Sequence, residues 1–183
     1  QVGSSVHFFL GQLLAQAGLS LKDVELVNLA GPDQGPALES GAVDAIILWM
    51  PYRTQLEQSG KARVVADSSH VAGGLSLYAV RGEFAQKNPE LVEGFLKATQ
   101  ATNHYMKSHP KQTLQVLSQA SRFPAAVLAE SLKGFDWSLG LTAEDEKSMG
   151  DIKDFLLANH VIRKDFALQD LFDDSYVKKA GVH

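Results

Sequence analysis

Cysteine is absent from this chain of 183 residues. That excludes disulfides, zinc–thiolate centres and thiol nucleophiles, and it leaves the redox compartment open. No apolar run is long enough to span a bilayer. The histidines stand apart, at positions 7, 70, 104, 109, 160 and 183, without the helical pair that a metal site uses. Neither a nucleophile-elbow nor a phosphate-loop pattern occurs, and there is no internal repeat or low-complexity tract. Charge of one sign is also scarce. Lys and Arg number 17 against 21 Asp and Glu, a formal charge of −4, which offers nothing to nucleic acid or an anionic membrane. A small anion would therefore have to be held by local dipoles and hydroxyls. Together these absences leave no catalytic set and no metal or cofactor motif to argue from. No signal peptide is present, but the chain starts at Gln1 without a methionine, so a processed or truncated amino terminus is expected.

What is present is ordinary globular composition, 45% apolar and 21% charged, in a length that suits one sizeable domain or two small ones. The organising stretch is Gly3-Ser4-Ser5-Val6-His7-Phe8-Phe9-Leu10. A short apolar lead-in ends at Gly3, and Val6, Phe9, Leu10, Leu13, Leu14 and Ala17 then recur at helical spacing. Ser4 reads as the N-cap and Gly18 as the stop. The start of such a helix has free N–H groups and partial positive charge, which suits a small anion; the alternative is a plain cap.

Along the first third, apolar runs alternate with short helical patterns. Val24 to Leu29, Val43 to Trp49 and Ala62 to Ala66 read as strands. Gln34 to Ser40 reads as a short helix with Pro36 in its first turn, and Pro51 opens another that runs to Gln58. This alternation predicts a parallel α/β unit. Ser68 to Gly74 reads as a linker or hinge. After one further strand, Leu75 to Val80, the chain becomes helical. Helices are expected from Asn88-Pro89, Pro110, Pro124 and Thr142, with Gly134 ending the third. The tail from Val161 to His183 reads as irregular, anchored by Phe166, Leu168, Leu171, Phe172 and Tyr176. The helical half carries apolar stripes with no sheet in this chain large enough to cover them.

Four blocks together are similar to a known family. They are the Gly3 to Leu10 stretch, Pro32-Asp33 ahead of Ala37 to Ala45, Trp49 with Pro51 and Tyr52, and Phe84 to Val92. In order and spacing they resemble the periplasmic substrate-binding proteins of ABC importers for sulfonates, taurine and nitrate, grouped with the thiamine-precursor-binding proteins. The resemblance implies an α/β fold of the type II periplasmic-binding-protein kind, with a ligand cleft between two lobes. Residues 1–72 would be the second lobe, carrying half the cleft. Residues 73–183 would be a return segment, one strand and about four helices, that packs on a first lobe whose amino-terminal part is not in this sequence. That lobe-one segment, or another copy of the chain, would cover the helical half.

The resemblance further implies that a small organic anion, sulfonate-like, is captured and delivered to an ABC permease in the inner membrane. The location would be periplasmic, or exported and membrane-associated. Expected ligand-binding residues are Ser4, Ser5, Val6 and His7 at the helix start, Pro32 and Asp33 on a strand-end loop, and Trp49 with Met50 at the end of an apolar run. Many sulfonate and taurine binders carry an acid where Met50 stands, so an uncharged, apolar ligand end is expected. Asp44 is expected to make structural hydrogen bonds. A ligand-sensing domain of a regulator stays open as an alternative, since the same fold serves there. An enzyme of the pyrimidine-synthase branch, a cysteine-rich version of the fold, fits less well.

Overall fold

Helix signals in this chain are strong and local, and they are realised closely. A computed structural model describes residues 1–67, 75–133 and 135–182. Helices run over α1 (Ser5–Gln16), α2 (Gly31–Glu39), α3 (Tyr52–Gln58), α4 (Gly82–Lys87), α5 (Pro89–Ser108), α6 (Pro110–Ser121), α7 (Ala125–Ser131), α8 (Ala143–Ala158) and α9 (Ser175–Ala180). Short 3-10 turns occupy Leu21–Asp23 and Leu168–Leu171. Among the described residues, no helix is long and apolar enough to cross a membrane.

The first three helices close alike. Gly18, Gly41 and Gly60 take φ of 72°, 74° and 70°, and the following N–H returns to a carbonyl five residues back, as from Leu19 to Leu14 at 2.8 Å. Proline opens α5 and α6, where its missing N–H costs nothing. Ahead of α8, Thr142 and Asp145 close a reciprocal cap: the Thr142 N–H and hydroxyl donate to Asp145 Oδ2 at 2.8 and 2.7 Å, and the Asp145 N–H donates to Thr142 Oγ1 at 3.1 Å.

Two expectations are corrected, and a third is not met among the described residues. The tail is not wholly irregular: Ser175–Ala180 is helical and closes at Gly181, with φ 66°. Pro36 lies inside α2 rather than in its first turn, because the helix begins at Gly31, before the expected loop ends. Last, no strand ladder is present among the described residues. The runs 24–29, 43–49, 62–66 and 75–80 lie without regular secondary structure, and among the described residues no backbone hydrogen bond joins them. A parallel strand satisfies its amides only through a neighbour, so β-branched apolar sequence cannot make a sheet by itself. Several of their side chains are correspondingly bare: Val65 is 82% exposed and Tyr78 65%. Asp44 is exposed as well and makes no hydrogen bond among the described residues. The expected linker from Ser68 to Gly74 and the helix stop at Gly134 lie outside the described residues.

The chain folds as two units. One comprises Gln1–Gly74 and Ser148–Asp165, the other Leu75–Lys147 and Phe166–His183. Residues 148–165 thus rejoin the amino-terminal unit instead of staying with the segment expected from 73 onward. Within that unit Phe8 is the most buried large side chain, at 1% exposed. The Phe155 ring of α8 meets Phe8 edge-on at 5.3 Å and lies where a side chain on Gly11 would be. In the other unit Leu96 of α5 is buried against Ala180 and Val182, flanked by Val92, Leu139, Tyr176 and Val177. Leu91, Phe95 and Tyr105 of the same helix stay about half exposed.

Candidate functional site

The turn into α1 decides which backbone donors are free. Gly3 has φ 81°, the left-handed region that glycine enters without strain. Its N–H donates to His7 Nδ1 at 3.2 Å. Ser4 is the N-cap in extended conformation, and its carbonyl accepts from the His7 and Phe8 N–H groups at 3.1 and 3.2 Å. The Ser4 hydroxyl does not cap the helix. It donates to the Gln1 carbonyl at 2.5 Å, and the Ser4 N–H donates to the same oxygen at 3.2 Å. That leaves the N–H groups of Ser5 and Val6 without a hydrogen bond among the described residues.

No acidic side chain occupies the first turn of this 12-residue helix. Its positive end is therefore not neutralised from within. The Ser5 side chain is exposed and its hydroxyl is uncommitted, so two amides and one hydroxyl can donate to an oxyanion there. His7 is buried, 7% exposed, with the Phe155 ring edge-on at 5.3 Å. Burial lowers its pKa below 6.5.

The other expected residues gather at the start of α2. Pro32 and Asp33 are exposed and stand in its first turn, not on a loop. The Trp49 ring, 45% exposed, meets Tyr52 edge-on at 6.3 Å. It covers Gly31 so closely that an added Cβ would lie 3.1 Å from the indole. Met50 is half-buried and joins Pro51 through a cis peptide bond at the head of α3. Trp49, Met50 and the first turn of α2 thus form one neighbourhood, and Ser4 to His7 form another. No hydrogen bond or ring contact joins these two sets among the described residues.

Beside the α2 start, a cavity of about 230 Å³ opens between α2 and α3. Pro32, Leu48, Tyr52, Gln55 and Leu56 line it, with the Glu39–Lys61 ion pair, 2.9 Å long, at its wall. Apart from Pro32, these residues were not expected at a site. Gly31 and Gly35, one turn apart on α2, were the available signal, since they let Trp49 and Leu56 approach the helix backbone. The Glu39–Lys61 pair spans 22 residues and left no local trace.

Comparison with known proteins places these features in context. A family model described as NMT1/THI5 like matches residues 2–113. The taurine-binding periplasmic protein of Escherichia coli (strain K12) is 36% identical over 52% of this chain and 30% of its own. The crystal structure of the periplasmic aliphatic sulphonate binding protein SsuA from Escherichia coli superposes with a TM-score of 0.84. It is 26% identical over 97% of this chain and 62% of that one. The alkanesulfonate-binding protein SsuA from Xanthomonas axonopodis pv. citri, bound to MOPS, gives a TM-score of 0.76 at 25% identity, over 90% of this chain and 57% of its own. The chain spans between 30% and 48% of the length of the curated relatives named for sulfonate or taurine binding.

Proposed function

The chain belongs to the NMT1/THI5-like family, and from that membership we propose that it is the ligand-binding part of an ABC import system. It captures a small organic anion, sulfonate-like, and passes it to an inner-membrane permease from a periplasmic or exported, membrane-associated position. It works by binding and release and carries out no bond chemistry. The observation that carries the reading is the pair of unpaired amides, Ser5 and Val6, at an acid-free helix start, in a chain whose relatives are named for sulfonate and taurine binding.

In this proposal the anion's oxygens take the Ser5 and Val6 N–H groups and the Ser5 hydroxyl. Ser4 shapes the turn, with its own hydroxyl proton turned to Gln1. Trp49, Met50, Pro32 and Asp33 meet the organic end, and Met50 favours an apolar group over an amine. The α/β unit that the resemblance implies would need the runs 24–29, 43–49 and 62–66, unpaired among the described residues, to come together as parallel strands once the polypeptide found only in the relatives is in place. Polypeptide corresponding to the part of the relatives not matched here, or another copy of the chain, covers the exposed residues Leu91, Phe95 and Tyr105 of α5.

Isothermal titration with ethanesulfonate, taurine, MOPS and nitrate tests the ligand class. Binding of a sulfonate supports the reading. Ser5→Ala then weakens it about tenfold, the usual cost of one hydrogen bond to a charged group, while Ser4→Ala weakens it less. A protein that binds none of the four refutes it.

A further inference from the structure

We infer that His7 is a positioning residue for the anion site: its imidazole Nδ1, by accepting the Gly3 N–H, holds the turn in the shape that keeps the Ser5 and Val6 amides unpaired. This deepens the anion-binding reading and rests on it.

The inference starts from a departure from ordinary capping. An N-cap serine normally turns its oxygen onto the second or third N–H of the helix, here Val6 or His7. Ser4 does not; its hydroxyl and its N–H both point back to Gln1 O. The chain around it is held from the other side. Gly3, at φ 81°, gives its N–H to His7 Nδ1, four residues on. Val161 packs on Gly3, within 3.3 Å of where a Cβ would stand. Phe155 lies edge-on to the imidazole at 5.3 Å and fills the space over Gly11.

The residue at this helix position is commonly a glutamate, which reaches back to a free N–H just ahead of the helix. A carboxylate here would also neutralise the helix end and repel an anion. A neutral imidazole closes the same kind of backward bond and brings no negative charge. Burial keeps it neutral. Phe155 from α8 faces the ring and carries no charge. Protonation would set Nδ1–H against the Gly3 N–H, two donors face to face, and the latch would open.

The test follows the Gly3 amide and the His7 ring by NMR in the ¹⁵N-labelled 183-residue chain across pH 8 to 4.5, without ligand and then with ethanesulfonate. Expected are an imidazole protonated at Nε2 and bare at Nδ1, and a Gly3 amide whose shift moves with the His7 midpoint. His7→Leu keeps the apolar bulk without an acceptor. It should speed Gly3 amide exchange and weaken ethanesulfonate binding, each about tenfold, the loss of one hydrogen bond. His7→Asn, whose carbonyl can accept in place of Nδ1, should restore both to within about threefold. A Gly3 amide that ignores His7 titration, in a chain that still binds ethanesulfonate, overturns this inference alone. Equal ethanesulfonate affinity in wild type and His7→Leu does the same. A wild-type chain with the latch in place and no sulfonate affinity overturns the anion reading, and this inference with it.

Discussion

Replacing Gly11 by alanine tests the packing that holds the α1 start in place. On an isolated helix the change stabilises by about 1 kcal/mol, because glycine is a poor helix former. In the fold an added Cβ would stand 2.3 Å from Phe155 Cε2 and 2.9 Å from Cζ. The ring must move, and its edge contacts with His7 and Phe8, each at 5.3 Å, are what it gives up. Overpacking of this kind costs about 1–3 kcal/mol. The net expectation is a loss of about 1 kcal/mol in the wild-type background, with faster exchange at Gly3. Phe155→Ala alone costs about 2 kcal/mol, below the range for a fully buried phenylalanine. In that background the steric obstacle is gone, so Gly11→Ala should stabilise by about 1 kcal/mol. Urea denaturation of the four chains, with unchanged m-values, reads the reversal directly. Stabilisation by Gly11→Ala in the wild-type background, or the same sign in both backgrounds, would refute the packing argument.

Other perturbations give further expectations. Leu96→Ala should cost about 2–4 kcal/mol and speed amide exchange first in α9, which leans on Leu96 through Ala180. Thr142→Ala removes the cap ahead of α8 and should cost about 1 kcal/mol, with Thr142→Ser close to neutral in the same urea assay. His7 has a folded pKa below 6.5. The unfolded chain therefore binds more protons just below pH 6.5, and stability should fall as pH drops from there through the folded value, while staying level above. His7→Asn should lack that slope. Asp23, Asp136 and Asp173, held below 3.8 by hydrogen bonds from Ser20, Ser138 and Ser175, act only at lower pH. On the proposed function, Met50→Glu should shift preference from ethanesulfonate toward taurine about two- to fivefold, the worth of a partly exposed ion pair, by titration calorimetry.

Much of the candidate site was legible because it is local. Gly3 followed by two serines and an apolar helical period announced a helix start with free donors, and Ser5 and Val6 are in that state. What the hydroxyls do was not legible. Ser4 turns away from the helix because Gly3 is tied to His7 and packed by Val161, and residue 161 is remote in sequence. His7 itself was expected to touch ligand, yet its Nδ1 is engaged within the turn. Trp49 was expected at the end of an apolar run, but its seat on Gly31 depends on α2 starting three residues before Gln34.

Helix boundaries at Pro89, Pro110, Gly18, Gly41 and Gly60 were determined by sequence alone, because a helix draws its hydrogen bonds from residues three to five apart and its ends from one proline or glycine. The family was likewise legible in four short blocks. Pairing across distance belonged to tertiary structure. The runs that read as strands make no ladder among the described residues, since a strand needs a neighbour to bond with and apolar composition does not supply one. The return of residues 148–165 to the amino-terminal unit, with Phe155 set over Gly11, was decided the same way. Such contacts depend on shape and on which surfaces meet, and neither is written in the spacing of residues along the chain.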